Sequence, residues 1–213
     1  MSQKLRILLT GFGPFPGAPY NPTQPLVARL ARLRRPALDE VEISSHIFPV
    51  TYAAVDQQLP EVLAAQKPDA LLMFGLASRT SYLRIESRAR NAVTMLWPDA
   101  ANTRSSKRGI AGHADAMLFG PHTARLLRAA RLTGIDARAS RDAGAYLCNY
   151  LSWRAIENVK AGGLAAFIHI PLLARSGAVR RKGAPRITLE ELVDAGEAML
   201  MEMVRLARKA RTS

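Results

Sequence analysis

The sequence contains one cysteine, Cys148, in 213 residues. A lone thiol cannot close an intrachain disulfide and cannot build a zinc site of several cysteines. It suits a reducing compartment, so a cytoplasmic location is expected. Long apolar runs are also missing. No stretch approaches the roughly 20 apolar residues of a membrane span. The opening Met1-Ser2-Gln3-Lys4-Leu5-Arg6 leads into an apolar run too short for a secretory signal, and no small-residue cleavage pattern follows it. Acidic residues are scarce, 17 against 30 basic ones, which gives a formal net charge of +13. An excess of this size favours nucleic acid or anionic membrane surfaces. The arginines are nevertheless scattered over most helical segments, with one cluster across Arg175-Ser176-Gly177-Ala178-Val179-Arg180-Arg181-Lys182. Zinc-finger spacing, an aromatic-rich strand pair and a reading helix are all absent. The charge is therefore read as a solvated basic face, which argues against nucleic acid or membrane as partner. A basic nucleic-acid-binding protein is the alternative from a different class.

What is present is a globular composition, with 48% of residues hydrophobic and 22% charged. That is enough to bury one core, and residues 1–213 are expected to form a single α/β domain. Leu5 to Thr10 reads as a first strand, ending in the loop Gly11-Phe12-Gly13-Pro14-Phe15-Pro16-Gly17. The glycines suit a phosphate cradle, but the nucleotide fingerprint and its lysine are missing, and two prolines remove backbone donors. Phe12 and Phe15 either wall a small apolar pocket or plug the core. Asn21-Pro22 is expected to cap and open a helix carrying Leu26, Val27, Leu30 and Leu33. A strand over Val41 to Val50, a helix over Ala53 to Ala65 and an apolar strand over Ala70 to Gly75 follow.

From Tyr82 to Val93, apolar Leu83, Ile85 and Ala89 alternate with Arg84, Glu86, Arg88 and Arg90, which is strand periodicity with a charged face. Residues 97–119 read as a long irregular connection, either a functional flap or a packed surface loop. A basic amphipathic helix over Thr123 to Leu132, a strand over Ile135 to Ser140 and a final helix from about Leu189 to Ala210 complete the alternation. Strands alternating with helices predict a three-layer α/β/α sandwich around a mostly parallel or mixed sheet.

The candidate chemistry centres on Arg141-Asp142-Ala143-Gly144-Ala145-Tyr146-Leu147-Cys148-Asn149. Leu147, Tyr150, Leu151, Trp153 and Ile156 have helical spacing, so a helix begins beside the thiol. Unpaired N–H groups and the helix dipole at that end are expected to favour thiolate. The buried strand Leu164 to Pro171 then places His169 at an element boundary, as a candidate general base. Glu86, among three arginines, and Asp142, close to Cys148 in sequence, are rival carboxylates to orient the imidazole. Spacing does not choose between them.

These segments resemble the type I pyroglutamyl peptidases (pyrrolidone-carboxylate peptidases), cysteine exopeptidases that remove an N-terminal pyroglutamate. The resemblance rests on Thr10-Gly11-Phe12-Gly13-Pro14-Phe15, Asn21-Pro22-Thr23, Phe48-Pro49-Val50, Gly75-Leu76-Ala77, the spacing from Glu86 to Asn91, Ala143 to Asn149, and Phe167-Ile168-His169-Ile170-Pro171. It implies Cys148 as nucleophile, His169 as base, Glu86 as the orienting carboxylate, and Phe12 and Phe15 around the lactam ring. It further implies peptides with an N-terminal pyroglutamate as substrates, a homo-oligomer (dimer or tetramer), and no metal or organic cofactor. Three positions depart from the pattern. Leu96 stands where the family carries an arginine, Ala77-Ser78-Arg79 replaces glycine-glycine-arginine, and Gly13 replaces an acidic residue. Another amide substrate, or weak activity, is the alternative within the family.

Overall fold

The computed structural model describes residues 4–112, 114–160, 163–174 and 187–212. The chain order is β1 (Leu5–Phe12), α1 (Thr23–Ala31), β2 (Val41–Phe48), α2 (Tyr52–Gln66), β3 (Ala70–Leu76), β4 (Leu83–Glu86), β5 (Arg88–Arg90), β6 (Ala116–Leu118), α3 (His122–Leu132), β7 (Ala137–Ser140), α4 (Leu147–Asn158), β8 (Leu164–Ile170) and α5 (Leu189–Thr212). Six strands form one sheet in the order β2-β1-β3-β8-β4-β7, and β5 pairs with β6 in a separate ribbon. β2, β1, β3 and β8 run parallel, β4 runs antiparallel to β8, and β7 runs parallel to β4. The sheet is therefore mixed, with the switch of direction between β8 and β4.

Strand periodicity explains the layers, because successive side chains leave opposite faces. Ile7 and Leu9 of β1, Leu72 and Phe74 of β3, and Ala166 and Ile168 of β8 meet α1, α3 and α5 in one core. Leu8 and Phe12, Leu71 and Met73, and Ala165 and Phe167 meet α2 and α4 in the other. The apolar runs of β1, β3 and β8 are buried on both faces, as expected of central strands covered by helices. This is the three-layer sandwich anticipated above.

Three expectations shift on contact with the structure. The alternating stretch from Tyr82 to Val93 is two strands, not one: β4 belongs to the main sheet and β5 to the ribbon. The break falls at Ser87, whose N–H and hydroxyl both donate to the Ser140 carbonyl at 2.8 Å. Asn21 does not cap α1 from the adjoining position. The helix starts after Pro22, and Asn21 Oδ1 instead accepts from the Thr23 N–H at 3.2 Å and the Thr23 hydroxyl at 2.9 Å. The stretch over 97–119 contains β6 and is internally bonded. Buried Asp99 accepts N–H groups from Tyr52, Ala101 and Thr103, and the Asn91 side chain holds Ile110, Ala111 and Ala114. These bonds pack the described residues of the stretch. The basic cluster Arg175 to Lys182 lies outside the described residues.

Candidate active site

On the α2/α4 side of the sheet, the C-terminal ends of β3 and β8 and the antiparallel β4 bring four residues together. Gly75 of β3 is the register partner of His169 on β8. Arg84 of β4 lies opposite His169, and Glu86 opposite Phe167. Arg84 and Glu86 are two apart in a strand and so share a face, the one opposite Leu83 and Ile85. Glu86 is thus a diagonal neighbour of His169, within reach across the pair. His169 Nδ1 and Glu86 Oε1 are 2.7 Å apart, and both side chains are almost fully buried. An ionised carboxylate can only accept, so Nδ1 donates to Oε1, and in the neutral imidazole Nε2 is the acceptor.

Burial by itself pushes the Glu86 carboxyl up. The hydrogen bond and charge of His169, then Ser140 and the Arg84 guanidinium, outweigh it and hold Glu86 below the usual carboxylate range. Arg84 donates to Oε1 from Nε at 3.1 Å and Nη2 at 2.8 Å. The Ser140 hydroxyl, although close enough to Glu86 to lower it, is turned toward Asp142, and Oε2 has no hydrogen-bond partner. Asp142, the rival carboxylate, does not meet the imidazole. It accepts from Arg90 Nη1 at 2.8 Å and from the Gly144 N–H at 2.9 Å, shaping the turn before the cysteine.

That turn depends on Gly144, whose φ of +83° lies in the left-handed region open to glycine. Tyr146 follows with extended backbone, and α4 begins at Leu147, so Cys148 sits in the first turn as its spacing predicts. Asn149, fully buried, locks this helix start to the chain after β5 by bonds to the Arg90 N–H, the Arg90 carbonyl and the Ala92 carbonyl at 2.8 to 2.9 Å. The sulfur rests against Gly75, where a Cβ would stand 2.6 Å from Sγ. Gly75 therefore touches the thiol and is the strand partner of the imidazole.

The expected thiolate is corrected. Burial pushes the Cys148 thiol up to about 12, and the Glu86 charge adds to that, while Arg84 and the residue's own N–H act in the opposite direction. The helix start lowers the cost of a thiolate without overcoming a site whose nearest carboxylate is ionised. Burial therefore works against the thiolate that the helix start favours, although the residue keeps partial exposure.

A cleft of about 740 Å³ opens over His169, with Phe15, Arg84, Trp97 and Tyr146 among its walls. Phe15 is held by paired backbone bonds to Ala18, in a loop pinned by Asn21 Nδ2 to the Gly13 carbonyl at 3.0 Å. Phe12 is placed deeper. It is only 3% exposed and packs on Phe48 with ring centroids 6.2 Å apart. Leu96 points away into solvent, 77% exposed, while its neighbour Trp97 reaches the cleft. Arg88 bonds the Arg141 carbonyl and Arg90 the Asp142 carboxylate. Sequence reasoning missed Arg84 and Gly75. Only a register for β4, β8 and β3 could have singled them out.

A second cavity, of about 360 Å³, is lined by Arg6, Lys67, Lys160 and Arg211. Lys160 and Arg211 donate to buried Asp69, and Lys67 and Lys160 stand at the C-terminal ends of α2 and α4, where the helix dipole welcomes cations. Among the described residues, no cluster of His, Cys, Asp and Glu could hold a metal ion, and no helix is long and apolar enough to cross a membrane.

Acid stability follows from the buried carboxylates. Asp69 resembles Glu86: burial raises it, but Lys160, the Arg6 N–H and Arg211 prevail and lower it. A lowered carboxyl binds its proton less tightly in the folded than in the unfolded chain, so acid favours unfolding. The stabilisation is complete above the unfolded value of about 4 and is lost as pH falls through the folded values. Melting temperature is expected to be insensitive to these two groups between about pH 5 and 7 and to fall below about pH 4. In Asp69→Asn, followed by circular dichroism, that fall should be shallower. An unchanged acid slope would remove Asp69 from this account.

Comparison with known proteins places the chain among relatives with one description. A sequence model of the pyroglutamyl peptidase family matches residues 5–205. The chain is similar to the pyrrolidone-carboxylate peptidase of Thermococcus onnurineus, 29% identical over 203 residues, covering 92% of this chain and 97% of that one. It is 31% identical over 199 residues to the pyrrolidone-carboxylate peptidase of Vibrio vulnificus, covering 92% and 91%. Among solved structures, the pyrrolidone carboxyl peptidase of Thermococcus litoralis superposes with a TM-score of 0.84 at 26% identity, covering 96% of each chain. Pyroglutamyl peptidase I of Bacillus amyloliquefaciens superposes with a TM-score of 0.82 at 26% identity, covering 95% of this chain and 98% of that one.

Proposed function

Because this chain belongs to the pyroglutamyl peptidase family, we propose that Cys148, His169 and Glu86 form the triad with which it hydrolyses the amide bond after an N-terminal pyroglutamyl residue. The observation that carries the reading is the 2.7 Å bond between buried Glu86 and His169 Nδ1, which frees Nε2 of a histidine whose strand partner, Gly75, lies against the sulfur of Cys148. With burial working against the thiolate, His169 acts as a base during attack. Sγ turns from Gly75 toward the imidazole, Nε2 takes its proton, and the S–C bond forms as the carbonyl π pair moves to oxygen. N–H groups at the start of α4 receive that oxyanion. Collapse breaks the C–N bond, and the imidazolium gives its proton to the departing amine. Water, deprotonated by Nε2, then attacks the thioester, and the sulfur leaves and recovers its proton. Glu86 stays ionised throughout and stabilises the imidazolium.

The pyroglutamyl ring is neutral and compact and lacks a free α-amine. An aromatic wall suits it better than a carboxylate anchor, with Phe15 at the cleft surface and Phe12 supporting it from the core. Peptides with a blocked N-terminus are then the partners. One free thiol that must stay reduced suits a cytoplasmic setting. Exposed Leu118 and Leu132 would suit assembly with further copies of the chain.

The test is release of a reporter amine under reducing conditions from pyroglutamyl, prolyl and N-acetyl amides. A preference for pyroglutamyl of at least about 10²-fold in kcat/KM is expected, since the prolyl analogue adds a charged amine, and the carboxylates lining the cleft, Asp99 and Asp142, already accept backbone N–H groups and Arg90. Equal turnover of all three would favour the diverged reading that Leu96 and Gly13 suggest.

A further inference from the structure

We infer that Arg84 is a positioning residue whose guanidinium joins the triad carboxylate to the turn that carries the nucleophile. The inference rests on the triad reading above. Arg84 approaches Glu86 through two nitrogens, Nε at 3.1 Å and Nη2 at 2.8 Å, both on Oε1, the oxygen that also meets His169 Nδ1 at 2.7 Å. The same Nη2 donates to the Asp142 carbonyl. Asp142 opens the turn through Gly144 to Cys148. One planar group therefore spans the base-orienting carboxylate and the nucleophile's backbone. A fork of fixed geometry does this, and a lysine ammonium cannot do it from a single point.

The electrostatics point the same way. Glu86 is fully buried and the Arg84 side chain is 21% exposed, so solvent screens the pair poorly. The charged and titratable groups facing Sγ are Glu86 and Arg84 from β4, His169 beyond Gly75 on β8, and Tyr146 from the cysteine's own turn. Glu86 opposes ionisation of the thiol and Arg84 favours it. Without Arg84, only the residue's own N–H would oppose the action on the sulfur of the carboxylate that His169 needs. All three hydrogen bonds to Glu86 converge on one oxygen, while Oε2 accepts none.

Arg84→Met and Arg84→Lys separate charge from fork. Two readouts are needed: kcat and KM on a pyroglutamyl amide, and the rate constant for iodoacetamide alkylation at pH 9. The chain's single cysteine makes the alkylation site-specific. In Arg84→Met both kcat and the alkylation rate are expected to fall at least about tenfold, with KM changed little. In Arg84→Lys the alkylation rate should recover to near wild type while kcat recovers only in part, because charge returns without the fork. An unchanged alkylation rate in Arg84→Met overturns the inference, even if turnover drops through loss of stability. Full recovery of kcat by lysine overturns the fork. Should the wild type itself fail to hydrolyse pyroglutamyl amides, the activity reading fails, and the alkylation comparison still decides the role of Arg84.

Discussion

Cys148→Ala is expected to lower turnover of a pyroglutamyl amide by about 10⁴-fold or more, with the fold intact. Covalent catalysis divides amide hydrolysis into formation and breakdown of a thioester, and the alanine methyl cannot form the S–C bond on which both steps depend. His169 could still polarise a water, but that water would have to reach the position Sγ holds against Gly75. The fold should tolerate the change. Cys148 contributes a partly exposed thiol to the α2/α4 core and forms no disulfide, and the helix start is held by the Asn149 side chain, which stays in place. Replacing SH by H leaves a small void beside Gly75, so stability is expected to move by no more than about 1 kcal/mol. Turnover, thermal melting and alkylation of the same samples decide the matter. A folded variant that takes up no iodoacetamide and hydrolyses nothing fits the nucleophile. Residual turnover within about tenfold of wild type would transfer the chemistry to His169 and water.

The contrast between what the sequence announces and what it hides follows from range. Local signals were legible. Helical spacing after Tyr146 places Cys148 in the first turn of α4, and the apolar run of β8 delivers His169 at its end. Pairing across the sheet was not legible. Glu86 and Asp142 looked equally able to orient the imidazole, because the choice depends on β4 lying antiparallel to β8, which puts Glu86 diagonal to His169. The same register raises Arg84 from one of three surface arginines to a bridge, and sends Arg88 and Arg90 to the Arg141–Asp142 turn. The alternation from Tyr82 to Val93 runs unbroken through Ser87, so nothing periodic marks where the chain leaves one sheet for another. The thiol shows the limit of a local rule most plainly. A helix start favours thiolate, but its effect is confined to one turn, and burial beside an ionised carboxylate outweighs it.

Gly75 supplies the second large effect. In Gly75→Ala the new methyl would stand 2.6 Å from Cys148 Sγ and 2.6 Å from Phe167 Cζ, closer than such contacts allow. Phe167 is fully buried and packs edge-on against His169 with ring centroids 5.0 Å apart, so moving its ring disturbs the base. Moving the sulfur instead displaces the nucleophile. Relief by either route costs about 1–3 kcal/mol of stability, as overpacking of a filled core does. It also costs about 10²-fold in kcat/KM, the usual consequence of an ångström of misplacement at a reacting pair. A double-mutant cycle with Cys148→Ala identifies which neighbour yields. If the sulfur carries the clash, Gly75→Ala should destabilise the Cys148→Ala protein less than the wild type, because the obstructing atom is gone. Equal destabilisation in both backgrounds would assign the strain to Phe167, and the lost turnover would then arise through His169.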